Sequence, residues 1–157
     1  MAAGAIYLSW AWRLRQSLVV PLLGMLHIGF AWLGIALLLF TLQSLWLLTT
    51  GSLILAKAPL HALVVGYFSS MLIAMITRVT LGHSGRTLAT DRPTWYIFLI
   101  FQLVALLRIF SELPGLGLAV RSHFYLSAGL IWLACFGLWF YKFASIYWKP
   151  RPDGLPG

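Results

Sequence analysis

Charge is scarce in this chain: 9% of its 157 residues are Asp, Glu, Lys or Arg, where about a quarter is usual in soluble domains. Hydrophobic residues make up 61% against roughly 45 to 50%, and together the two values exclude a soluble globular protein. Acids are scarcer still, three against eleven Lys and Arg, for a formal net charge of +8. The basic excess is scattered between apolar runs and never forms the clustered patch that nucleic-acid binding needs. Cysteine is almost absent: Cys135 alone, inside an apolar run, excludes an internal disulfide, a CxxC motif and a thiolate zinc cluster. There is no Walker loop, GxSxG or HExxH, so hydrolase and nucleotidase chemistry lacks its residues. No buried carboxylate suited to proton pumping stands out on the apolar segments, and there is no internal repeat or low-complexity stretch. The N-terminus lacks the order of a secretory signal, because apolar Ala2 to Trp12 precedes Arg13 and Arg15 and no A-x-A site follows. It reads as the cut end of a helix, which leaves open that the chain is a piece of a longer membrane protein.

Long hydrophobic runs are what the sequence does have. From Ser17 to Ala56 there are 40 residues without Asp, Glu, Lys or Arg, about 60 Å if wholly helical and twice a bilayer core of about 30 Å. Two spans here would need a turn near Ala36 to Leu39, which is uninterrupted aliphatic, whereas turn residues come later at Thr49-Thr50-Gly51-Ser52. One span over about 18–41, extendable towards Leu48, is the reading adopted, with Leu53 to Pro59 a loop or interfacial stretch. Pro59 suits a helix start and opens a second span over 60–80. Asp91 and Pro93 start a third over 94–112, which Pro114-Gly115 ends. Ser122 is placed to cap a fourth over 122–148, before a solvated tail from Lys149 to Gly154. The expected fold is all-α: one polytopic transmembrane helix bundle of about four spans over residues 1–157.

Four spans put the chain's two ends and the second connector on one side. That side collects Arg13, Arg15, Arg78, Arg86, Arg92, Lys142, Lys149 and Arg151 against Lys57, Arg108 and Arg121 on the other. The positive-inside rule then places both ends in the cytoplasm. Trp10, Trp12, Trp95, Tyr96, Tyr141, Tyr147 and Trp148 fall near span ends, as interfacial aromatics do.

Polar groups inside a membrane need an escape to the interface, a partner or a task. Arg78 and Arg108 can snorkel, and Arg108 has Glu112 four residues on for an i,i+4 pair. The four histidines are more telling, since imidazole ligates haem iron and copper and sits neutral in a bundle. His27 lies ten residues inside the first span, about 15 Å deep and near the midplane. His61 and His123 begin the second and fourth spans on one side and could meet. His83 ends the second span, 22 residues from His61 and about 33 Å along the axis, so those two cannot share a metal. In a regular helix they would lie only about 40° apart in azimuth, one imidazole at each surface. A His27–His83 pair on the cytoplasmic side and a His61–His123 pair on the other could therefore form, although a sequence does not fix which helices are neighbours. Met71 and Met75 form an i,i+4 pair and Met25 precedes His27; thioethers suit Cu(I), although core packing uses methionine in the same way.

Several segments carry a resemblance: Pro21-Leu22-Leu23 with Leu26-His27, His61-Ala62-Leu63 with Val65-Gly66, MITRVTLGHSGR from Met75 to Arg86, and RPDGLPG from Arg151 to Gly157. In order and spacing they resemble the C-terminal part of the NnrS family, the MxxRVTLGHSGR stretch most specifically. The resemblance implies a polytopic bacterial inner-membrane protein that contains haem and copper and acts in the response to nitric oxide and nitrosative stress. It raises His27, His61 and His83 as haem or copper ligands, with Arg78 and Arg86 as polar companions; His123 is a candidate from topology alone. The metal candidates are His27, His61, His83 and Met75. Partners implied are the lipid bilayer, nitric oxide or iron-nitrosyl species, and missing helices of a longer protein or a second copy. A metal-free transport module and a structural or assembly subunit, whose histidines hydrogen-bond between helices, are the alternatives.

Overall fold

The computed structural model describes residues 4, 7 and 18–154. Apart from Gly4 and Tyr7, the expectations on Ala2 to Trp12, Arg13 and Arg15, and those on the last three residues, lie outside the described residues. Among the described residues the protein is all-helical, with four helices long and apolar enough to cross a membrane: α1 (Pro21–Thr50), α2 (Ala58–His83), α3 (Arg92–Phe110) and α4 (Leu118–Tyr147). Successive helices run antiparallel. The end where α1 and α3 begin is called the near end below, and the end where α2 and α4 begin the far end.

Each boundary has a local cause. Pro21 starts α1, and Gly51, in the left-handed region at φ 68°, closes it with its N–H on the Leu47 carbonyl. Its 30 residues make about 45 Å, so α1 must tilt or project beyond a core of about 30 Å. Asp91 caps α3 by accepting from the Thr94 N–H at 3.3 Å, which satisfies one of the donors a helix start leaves free. α3 ends at Phe110 rather than 112, so Glu112 lies in the following turn. α4 begins at Leu118 after Gly117, and Ser122 is not its cap: the Ser122 hydroxyl donates back to the Leu118 carbonyl one turn earlier.

α2 is not a regular helix. Between α-helical Ala58–His61 and Ser70–His83, the eight residues Ala62–Ser69 form a π-helix. Its bonds close on i+5 rather than i+4, which winds the chain more slowly and turns the two flanking segments relative to each other. The regular-helix assumption that put His61 and His83 on one face therefore fails. The π segment also carries Gly66, where an added Cβ would lie 2.6 Å from the Trp32 ring of α1. Gly29 of α1 similarly receives Met71. Such small-residue contacts let helices approach in a medium where burial from water supplies no drive.

The core has two patches. Met25, Ile73, Ala74, Phe98, Phe101 and Val104 pack with Ala128, Cys135, Trp139 and Phe143 of α4, while Trp32, Ala36, Ala62 and Ala105 form a smaller patch towards the far end. Cys135 is a buried free thiol.

Candidate functional site

The polar side chains are arranged in three layers. At mid-depth Gln102 of α3 accepts from Trp32 Nε1 at 2.8 Å and from Ser70 Oγ at 3.2 Å, and donates to the Phe98 carbonyl at 2.8 Å. The near end ties α2 to α4 through Trp139 Nε1 donating to Thr77 at 2.8 Å and a 2.7 Å bond between Thr80 and the Tyr147 hydroxyl. There Lys142 also pairs with Asp91 and donates to Thr94 Oγ1 at 2.7 Å. Burial pulls the Asp91 carboxyl upward, but the hydrogen bonds from Lys142 and Thr94 outweigh it and hold the group below its usual range.

The far end holds the densest cluster. Glu112 is buried, 5% exposed, and its Oε1 stands 3.2 Å from His61 Nε2 and accepts from the Tyr125 hydroxyl at 2.8 Å. The Lys57 N–H is a third donor to this carboxylate. Arg108 places Nη2 3.3 Å from His61 Nε2 and its guanidinium 4.4 Å from the centre of the Tyr125 ring. Burial alone would raise the Glu112 carboxyl, but the bonds from Tyr125, His61 and the Lys57 backbone bring it below its usual value. His61 Nε2 can donate to the carboxylate or, unprotonated, accept from the guanidinium, so one ring nitrogen is engaged in either tautomer.

Backbone strain helps to build this cluster. Leu55 and Ala56 both have positive φ, 62° and 33°, an arrangement that costs about 1–3 kcal/mol per residue and persists only where the surroundings enforce it. Gln43 Nε2 does so by donating to the carbonyls of Ile54 and Ala56 at 2.7 and 2.9 Å. The loop is thereby held so that the Lys57 N–H meets Glu112.

The four histidines do not converge. His27 is buried at 8% exposure, six residues past Pro21 and so about 9 Å along α1. The contacts of Gly29 with Met71 and Gly66 with Trp32 set His27 level with about residue 72 of α2. His83 lies about eleven residues, or about 16 Å, beyond that level, and it is exposed. The His27–His83 pair is therefore not made. Thr77–Trp139 and Thr80–Tyr147 set His123 about level with His61, but His123 is exposed, with Nδ1 2.6 Å from its own Ala119 carbonyl. Tyr125, two residues on, makes the contact with the His61 cluster instead. Nor do Arg108 and Glu112 pair directly among the described residues; both meet His61.

The sulfur donors are also dispersed. Met75 is 46% exposed, Met25 is fully buried with Thr90 Oγ1 3.9 Å from its sulfur, and Met71 packs on Gly29. Positions 25 and 29 share a face of α1, while His27 between them points about 200° away. No group of three or more His, Cys, Asp or Glu able to hold a metal occurs among the described residues. Glu112, Tyr125, Gln102 and Gln43 were not singled out as site residues from the sequence, except Glu112 as the partner of Arg108.

A family model described as NnrS protein matches residues 1–151. The chain belongs to the NnrS family. The match covers nearly the whole chain, which agrees with the resemblance carried by the PLL–LH, HAL and MITRVTLGHSGR segments. Neither the curated proteins nor the solved structures contain a match to this NnrS chain. Family and helices together make it a membrane protein whose family points to the nitric oxide response.

Proposed function

We propose that this chain is part of a bacterial inner-membrane protein that binds haem and copper and protects against, or responds to, nitric oxide. Membership of the NnrS family over residues 1–151 carries the reading. A bound haem would supply an iron to which nitric oxide can bind, and an imidazole of this chain would hold it.

The residues present fit part of this. His27 is a buried imidazole on a membrane helix, which is the side chain that would hold haem iron. His61 is held by Glu112 and Arg108 and acts as a strut between α2 and the turn after α3. His83 and His123 are exposed and are offered to no common centre. For copper, the described residues provide no closed donor set, because His27 and the buried thioethers of α1 and α2 lie on different faces. His27 is thus the residue of this chain assigned to haem, and no copper ligand is assigned.

The test is a reduced-minus-oxidised optical spectrum of the purified chain, with iron and copper analysis on the same sample. Haem bands that weaken in His27→Ala and persist in His83→Ala and His123→Ala are expected. A folded, colourless, metal-free protein, or bands indifferent to His27→Ala, would remove this assignment.

A further inference from the structure

Between α2 and α4 an open groove of about 450 Å³ is lined by Phe136, Trp139, Phe140, Phe143, Tyr147 and Trp148, with Ile76 and Ala144 completing it. The polar atoms that could have interrupted it are turned to α2: Trp139 Nε1 goes to Thr77 and the Tyr147 hydroxyl to Thr80. What remains is an apolar slot whose rim residues Phe140 and Trp148 are 57% and 81% exposed. It contains no imidazole, thiol or thioether and is not a metal pocket.

The slot leads to a basic surface. Ile76, Thr80 and His83 follow one another at i, i+4 and i+7 on the α-helical part of α2, so exposed His83 continues the groove's stripe to the helix end. On the other wall Lys149 follows Trp148 directly, and it is exposed. The segment after α4 folds back on the loop after α2, bringing the Asp153 carboxylate against Gly85. Arg86 follows, with Nη1 buried and without a hydrogen-bond partner. The near end holds Arg78, Arg86, Arg92, Lys142, Lys149 and Arg151 among the described residues, and its two acids are engaged by Lys142 and Arg151.

We propose that this groove binds an anionic phospholipid, with one acyl chain along the aromatic slot and the headgroup phosphate at Arg86 and Lys149 beside His83. An acyl chain gains little by leaving other acyl chains, since lipid tails are as apolar as the groove. Selectivity must therefore come from the headgroup, through the attraction of interfacial Lys and Arg for anionic lipid. The groove fixes where that lipid rests, and the basic end fixes which lipid it is.

The experiment uses the full chain in phosphatidylcholine vesicles containing a minor fraction of lipid brominated on its acyl chains, either phosphatidylglycerol or phosphatidylcholine. Trp148 quenching is read as the difference between the wild type and Trp148→Phe, which keeps a ring in the groove. Relative association with phosphatidylglycerol is expected to exceed that with phosphatidylcholine by about fivefold, the value of one basic contact at a membrane surface. The preference should fall to near parity in an Arg86→Gln, Lys149→Gln double variant, and quenching should drop for both lipids when Ala144→Trp fills the slot. Four results would each overturn the proposal: equal quenching by the two lipids in the wild type, a preference unchanged in the Arg86→Gln, Lys149→Gln variant, quenching unchanged by Ala144→Trp, or a Trp148 that neither lipid reaches, which would mean protein covers the groove.

Discussion

Removing the Glu112 carboxylate tests whether the far-end cluster holds the bundle together. In Glu112→Ala three donors lose their acceptor, namely His61 Nε2, the Tyr125 hydroxyl and the Lys57 N–H. The Arg108 guanidinium, stacked on Tyr125 and beside His61, loses the one acid at its end of the bundle, because the other two acids are at the opposite end. A hydrogen bond to a charged group is worth about 1.5–3 kcal/mol, and with three lost around one buried carboxylate a total of about 3–5 kcal/mol is expected. For a chain of this length each kcal/mol moves the midpoint by about 2–4 °C, so a fall in Tm on the order of 10 °C is expected. Glu112→Gln keeps one acceptor oxygen and should lose about 1.5–3 kcal/mol, the value of a hydrogen bond to a charged group. The assay is thermal unfolding in detergent micelles followed by tryptophan fluorescence. The same assay run against pH separates charge from shape. The folded carboxyl titrates below its ordinary value of 4.5, so its contribution is complete above about that pH and is lost as the pH falls through the lower, folded value. The Gln variant should lack that acid loss. A Glu112→Ala protein melting within about 2 °C of the wild type would refute the reasoning.

Two other substitutions follow from the fold. Gly66→Ala drives a methyl into the Trp32 ring and should destabilise by about 1–3 kcal/mol, the usual result of overpacking; the same melting assay reads it, together with a change in Trp32 emission as its bond to Gln102 is disturbed. Asp91→Ala removes both the α3 cap and the partner of Lys142. It should cost about 1 kcal/mol and show first as faster amide exchange at Thr94 and Trp95.

The sequence reveals the helices because membranes exclude charge and because helix ends use specific residues. Pro59, Asp91 and Gly51 each act where their chemistry indicates. Ser122 misleads for a physical reason: a serine mid-helix satisfies its hydroxyl on the carbonyl one turn back, as Ser122 does on Leu118. Glu112 is hidden for another reason, since its burial depends on a loop held by Gln43 from 11 and 13 residues away. The histidine pairing could not be read, although parity set His61 and His123 at one level. Which way a side chain points around its axis depends on the π-helical winding of Ala62–Ser69, where Gly66 lies against the Trp32 ring of another helix, a contact between residues far apart in the sequence.

Gln102 has a consequence for how the bundle assembles. Its carbonyl oxygen accepts from α1 through Trp32 and from α2 through Ser70, and both helices precede α3 in the chain. When α3 enters the membrane during synthesis, the two donors its amide requires are already there. A primary amide in hydrocarbon without partners is costly, so the third helix is steered to a seat the first two have made. The order in which the ribosome delivers the helices is thus the order in which Gln102 can be satisfied, and α4, which makes no hydrogen bond to this amide, is free to close over α3 last.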